Sequence, residues 1–276
     1  MKKLFVCVLT MLMLLSGCGM SEEPFATDVD VSSSEYIISI PTEDISYMSE
    51  EDRLASEGVY MLEKGYDFYK GSIDKSSITY IMFTDEEPQM FEESWNANVA
   101  DTGDIKGYLV GSAVLIVGKH IYLNSDSSYM FASKNEVGEP LWGSLHGLGG
   151  LENLNTSMTI DMSGMFYNSG LDEISGIDNW DVNSVVFMSS MFENCESLKG
   201  VNIGGWLATN ITDTSKMFKN CKGIQWLDMY GFNMSGVQSV HEMFYGCASL
   251  VDVVSRETWD LNGVAGVDTM YDGSLL

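Results

Sequence analysis

Basic residues are scarce in this chain of 276: 14 Lys+Arg stand against 40 Asp+Glu, for a formal net charge of -26. A nucleic-acid backbone would be repelled, and no counterion release would drive its binding. Nucleic-acid recognition is therefore disfavoured. Histidine is scarcer still, with only His120, His146 and His241, and no residue pair points to a nucleophile–base arrangement. Apolar runs near membrane-spanning length are missing after the N-terminus, where Leu4 to Leu15 falls short of the roughly 20 residues a spanning helix needs. The body of the chain is expected to be soluble. With 45% hydrophobic and 20% charged positions, it is not a disordered chain and has material for one large domain or two small ones.

Motifs of enzymes and metal sites are likewise wanting. His241-Glu242 opens like a zincin helix, but Tyr245 stands where the second histidine is required. Asp178-Asn179-Trp180-Asp181 places a tryptophan where a calcium loop needs Asp or Asn. Gly143 to Gly150 lacks the phosphate-loop fingerprint and reads as a turn-rich insertion. The sequence therefore implies no enzyme, no metal and no cofactor.

At the N-terminus, Lys2 and Lys3 precede the apolar Leu4–Leu15 run, and Leu15-Ser16-Gly17-Cys18 follows with small residues at the processing position. This reads as a secretion signal over residues 1–18. The same four residues resemble the lipobox of bacterial lipoproteins, which implies diacylation of Cys18 after cleavage in front of it. The protein is then expected outside the cytoplasm, held on the bacterial cell surface by an N-terminal lipid, its only link to the membrane. Residues 19–41 carry Glu22, Glu23, Asp28, Asp30 and Glu35 with no basic residue, and read as a flexible acidic tether.

Residues 42–128 suggest a small α+β capping unit. Ser49-Glu50-Glu51-Asp52 looks like a helix start, with a loose apolar stripe running to about Lys64. Ile78 to Phe83, Tyr108 to Val110 and Ala113 to Val117 are rich in β-branched and aromatic residues, the last two separated by Gly111-Ser112. They read as strands.

From residue 129 to 276 the chain repeats. Met-Phe pairs fall at Met130, Met165, Met191, Met217 and Met243, with Met270-Tyr271 as a variant, so the spacings are 35, 26, 26, 26 and 27. In the same register lie Trp180, Trp206, Phe232 and Trp259, then Val185, Ile211, Val237 and Val264, then Cys195, Cys221 and Cys247. Such a period predicts stacked coils, each burying its apolar side against its neighbours. Leu198 to Ile203 has the Leu-x-x-Leu-x-Leu pattern of a strand. Val185, Met188, Met191 and Phe192 keep the i, i+3, i+6, i+7 spacing of a short helical turn. The expected fold is an α/β solenoid of leucine-rich-repeat-like coils of about 26 residues with a parallel sheet. The cysteines read as a ladder of buried free thiols, because a column at one repeat position does not converge on a metal.

The recurring Trp-x-x-x-x-[Val/Ile]-x-x-x-x-x-Met-Phe-x-x-Cys-x-x-[Leu/Ile], with Asp161 to Phe166 and Leu151 to Leu154, resembles the BspA-type leucine-rich-repeat surface proteins over roughly residues 76 to 276. That resemblance implies a surface-displayed, non-catalytic repeat protein, with adhesion suggested for some members. The first unit departs from the pattern, since Ser169 fills the cysteine slot.

Function on such a scaffold belongs to side chains facing away from the core. Around the strand of Leu227 these are Trp226, Asp228 and Tyr230, with Lys199, Asn202, Asp252, Val254 and Arg256 on adjacent coils. An outward Trp beside an outward Tyr is the strongest candidate patch, since aromatic side chains dominate binding hot spots. The expected role is recognition of a protein on a host or neighbouring cell surface. A carbohydrate ligand stacking on the aromatics is the alternative, and an envelope hydrolase in residues 42–128 is a minor one.

Overall fold

The computed structural model describes residues 60–99 and 103–276. The expected signal, Cys18, the tether and the start of the expected helix lie outside these residues. What would be the end of that helix is extended, because Tyr60–Met61 (β1) pairs in parallel with Ile121–Tyr122 (β6), which pairs in turn with Leu154–Asn155 (β8).

The three strands read in the sequence lie, with two that it does not suggest, in a five-stranded sheet. Its members are Tyr80–Thr84 (β2), Glu93–Asn96 (β3), Lys106–Val110 (β4), Ala113–Val117 (β5) and Gly147–Gly149 (β7), in the order β3-β4-β5-β2-β7. Alternation sets its faces. Ile81 and Phe83 pair with Val114 and Ile116, and all four are fully buried on the inner side. Gly111, at φ +62°, makes the turn between β4 and β5. The glycine-rich insertion contributes β7 because Tyr80 lies across both Gly147 and Gly149, and any side chain there would collide with its ring.

Beyond the sheet, successive copies of the repeat lie over one another. The rings of Phe131, Phe166, Phe192, Phe218 and Phe244 form a file with centroids 5.4, 5.3, 5.1 and 5.8 Å apart. Cys195, Cys221 and Cys247 are buried free thiols, and each Sγ–H donates to the carbonyl of Phe166, Phe192 or Phe218 at 2.9–3.0 Å. One apolar core continues from Leu62 to Met270.

The expected α/β solenoid is corrected by the backbone. Among the described residues there is no α-helix, only four 3-10 helices of three residues each. Nor is there a continuous parallel sheet along the coils. Trp226–Asp228 (β9) and Asp252–Val254 (β10) form a two-stranded pair, and the expected strand at Leu198 to Ile203 is reduced to single bridges, Ile174 to Val201 and Asn202 to Asp228. The architecture is one of small sheets and linked turns.

The reason lies in φ. Ser190 and Asn194 sit at +57° and +62°, as do Lys216 and Asn220 at +59° and +60° and Glu242 and Gly246 at +53° and +69°. An α-helix cannot pass through such residues, because every helical φ is negative. The amides turn outward to the next coil instead. Met188, Ser190, Phe192 and Asn194 donate to the carbonyls of Asp213, Ser215, Met217 and Lys219 at 2.7–3.0 Å, while the intervening Met191, Glu193 and Cys195 bond back three residues. Every third residue still points inward, which is why the apolar spacing imitates a helix. The left-handed conformation costs a residue with a Cβ about 1–2 kcal/mol. Lys216→Gly is therefore expected to raise stability by about 0.5 kcal/mol in a urea titration, where glycine in regular structure ordinarily costs about 0.5–1 kcal/mol.

The tryptophan column is broken at its last member. Trp180 and Trp206 stack at 6.3 Å with 5° between planes, and their indole N–H groups donate to the carbonyls of Leu151 and Ile177 at 3.0 and 2.7 Å. Phe232 is buried and bridges Ala208, while Trp259 stacks on Phe244 at 6.5 Å and its buried Nε1 has no hydrogen-bond partner.

Candidate binding surface

The strand pair β9–β10 positions the site. Leu227 and Val253 lie opposite each other in register and are buried, so Trp226 and Asp228 on one strand and Asp252 and Val254 on the other must face outward. Trp226 stands beside Asp252, and Asp228 beside Val254. The indole of Trp226 is 63% exposed and the Tyr230 ring 79% exposed. Large aromatics at such exposure are not serving the core.

Trp226 and Asp228 form one wall of a groove of about 570 Å³ that also takes in Lys199 and Asn202 from the preceding coil. Four of the eight residues read from the sequence as a patch thus meet in one concavity. Tyr230 instead lines a smaller depression of about 310 Å³ with Phe232, Met234 and Trp259. Arg256 lies apart from both, 4.0 Å from Asp252, and Val254 is exposed beside Asp228.

Two carboxylates on the groove were missed by sequence reasoning, Glu173 and Asp178. They belong to the coil before the cysteine column begins, and the signal that locates them is the single bridge from Ile174 to Val201. Asp228 is the best-held acid of the groove: its Oδ1 accepts the Tyr230 N–H at 3.0 Å, and Gly204 leaves room for its carboxylate.

The cations are already engaged. Lys199 donates to Asp172 at 2.8 Å, and this contact holds the Asp172 carboxyl below the ordinary range and lifts the lysine above its own. Lys222 bonds Glu196 at 2.7 Å and Lys219 bonds Glu242 at 2.6 Å, both across neighbouring coils. The exposed pairs among these add little stability, and the one lysine lining the groove, Lys199, is held by Asp172. Among the described residues, Asp178 and Asp228 are in no ion pair, while Glu173 adds a weaker attraction to Lys199 beside that of Asp172. No group of three or more His, Cys, Asp or Glu is placed to hold a metal ion among the same residues, and no helix there is long and apolar enough to cross a membrane.

No curated protein and no solved structure matches the chain. One family comparison does, and it spans the turn ladder from Ser127, whose N–H donates to Asp161 of the next coil, as far as Trp259. Residues 127–259 of this repeat protein match the family described as Mycoplasma protein of unknown function, DUF285.

Proposed function

We propose that this is a lipid-anchored cell-surface repeat protein that binds a protein partner and performs no catalysis. The observation that carries the reading is the exposure of Trp226 and Tyr230 on a face whose supporting residues are held by stacked coils. A side chain fixed in place by its backbone loses little conformational freedom when a partner covers it, and Trp and Tyr are the residue types on which such interfaces concentrate their energy. The Leu15-Ser16-Gly17-Cys18 stretch and the acidic residues after it support display on a tether.

The chain without residues 1–18, immobilised and exposed to extracellular matrix and to intact neighbouring bacteria, is expected to retain a protein. Trp226→Ala with Tyr230→Ala should lower that capture at least thirtyfold, about 2 kcal/mol, with an unchanged melting temperature. Capture by the double variant equal to that of the parent rules this face out, and signal on a glycan array without protein capture replaces the protein partner with a carbohydrate. Cys18→Ala in the full chain should abolish incorporation of labelled palmitate and release the protein from the membrane fraction.

A further inference from the structure

Resting on that reading, we propose that the groove before Trp226 receives an arginine side chain from a cationic segment of the partner. The argument is one of charge and shape. Three carboxylates, Glu173, Asp178 and Asp228, share the groove with an exposed indole, and the one cation on its rim, Lys199, is held by Asp172. A cation entering here meets the exposed indole of Trp226 together with Asp178 and Asp228, which no ion pair engages, two attractions that strengthen as water is displaced.

Arginine fits this chemistry better than lysine. Its guanidinium is planar, stacks on an aromatic face while presenting its N–H edge to carboxylates, and sheds water more readily than an ammonium. Asp228 is suited to that edge contact, because the Tyr230 amide fixes one of its oxygens and its carboxylate rests against Gly204, where a side chain would push it away. An anionic lipid surface or a nucleic acid would be repelled by the same carboxylates and by the net charge of -26. A basic protein segment is drawn in by both.

The full chain is titrated with capped tetra-arginine, tetra-lysine and tetra-citrulline peptides, followed by indole fluorescence and calorimetry at low and high salt. Tetra-arginine should bind saturably and quench the indole, tetra-lysine about tenfold more weakly, and tetra-citrulline, which keeps the shape without the charge, not at all. Added salt should weaken the arginine peptide. Trp226→Ala and Asp228→Asn should each cost about tenfold, while Glu257→Gln, an exposed acid outside the groove, should change nothing. Trp226→Phe, which keeps an aromatic ring, should recover part of the loss.

Equal binding of arginine and lysine peptides that Trp226→Ala leaves unaltered would mean general attraction to a polyanion and would overturn the assignment. So would binding of citrulline as tightly as arginine. Should the Trp226/Tyr230 double variant lose a captured protein while tetra-arginine fails to bind, the face stands as an interface and the arginine assignment alone falls. Should neither capture nor tetra-arginine respond to the substitutions, both fall together.

Discussion

Phe218→Ala is expected to destabilise the protein by about 3–5 kcal/mol, the range for removing a fully buried aromatic ring. Phe218 is 0% exposed and lies between Phe192 at 5.1 Å and Phe244 at 5.8 Å, with interplanar angles of 9° and 7°. Truncation removes two ring contacts and leaves a cavity that the coils above and below cannot close, because their spacing is held by amide bonds such as Phe192 to Met217 and Phe218 to Met243. Against a total stability of about 5–15 kcal/mol, that is a large share. The loss should also be uneven. Coils that touch only their neighbours transmit a broken interface to the shorter side, so amides of Val240, Phe244 and Gly246 should exchange faster than those of Met162, Phe166 and Asn168. Hydrogen exchange read by mass spectrometry checks this, and a uniform acceleration along the chain would show a fold that opens only as a whole.

What the sequence made legible follows from the same columns. One apolar side chain per coil is enough to reveal the phenylalanine file and the thiol ladder, since neither depends on how the backbone travels between them. The helix was the misreading. Val185, Met188, Met191 and Phe192 show the same spacing in a helix and in a run of linked turns, and the residues that decide between them include Ser190, Lys216 and Glu242, whose types carry no preference for a left-handed φ. Their companions did carry one. Asn168, Asn194, Asn220, Gly246 and Gly273 stand three residues after Met165, Met191, Met217, Met243 and Met270, all at positive φ, and Asn and Gly are the residues that enter that region most readily. At the site, outward Trp226 was legible from strand alternation around Leu227. Glu173 and Asp178 were not, because Ile174 meets Val201 through a single bridge and no strand pattern surrounds them.

The thiol ladder gives the steepest expected pH dependence. Burial pushes the Cys195 and Cys247 thiols from an ordinary 9.0 up to about 12, and Cys221, flanked by the other two, is also raised well above 9.0. A group whose folded value exceeds its unfolded value binds its proton more tightly in the native state. Its contribution is fully present below 9.0 and is lost as pH rises toward about 12. The three thiols act in the same direction, so the alkaline loss grows with each of them. Tyr129, Tyr167 and Tyr271, raised chiefly by burial, act in the same direction. The protein should therefore unfold on the alkaline side before its thiols ionise in place. Circular dichroism and thiolate absorbance should change together within this window, and alkylation below it should be roughly a thousandfold slower than in the urea-unfolded chain, following the thiolate fraction. Replacing Cys195, Cys221 and Cys247 with alanine removes the thiol share while leaving the tyrosines, so its alkaline midpoint should move upward relative to its own neutral stability. A midpoint that does not move, with thiols that react at the unfolded rate while the circular dichroism stays native, would mean that the coils open at the cysteine column without unfolding.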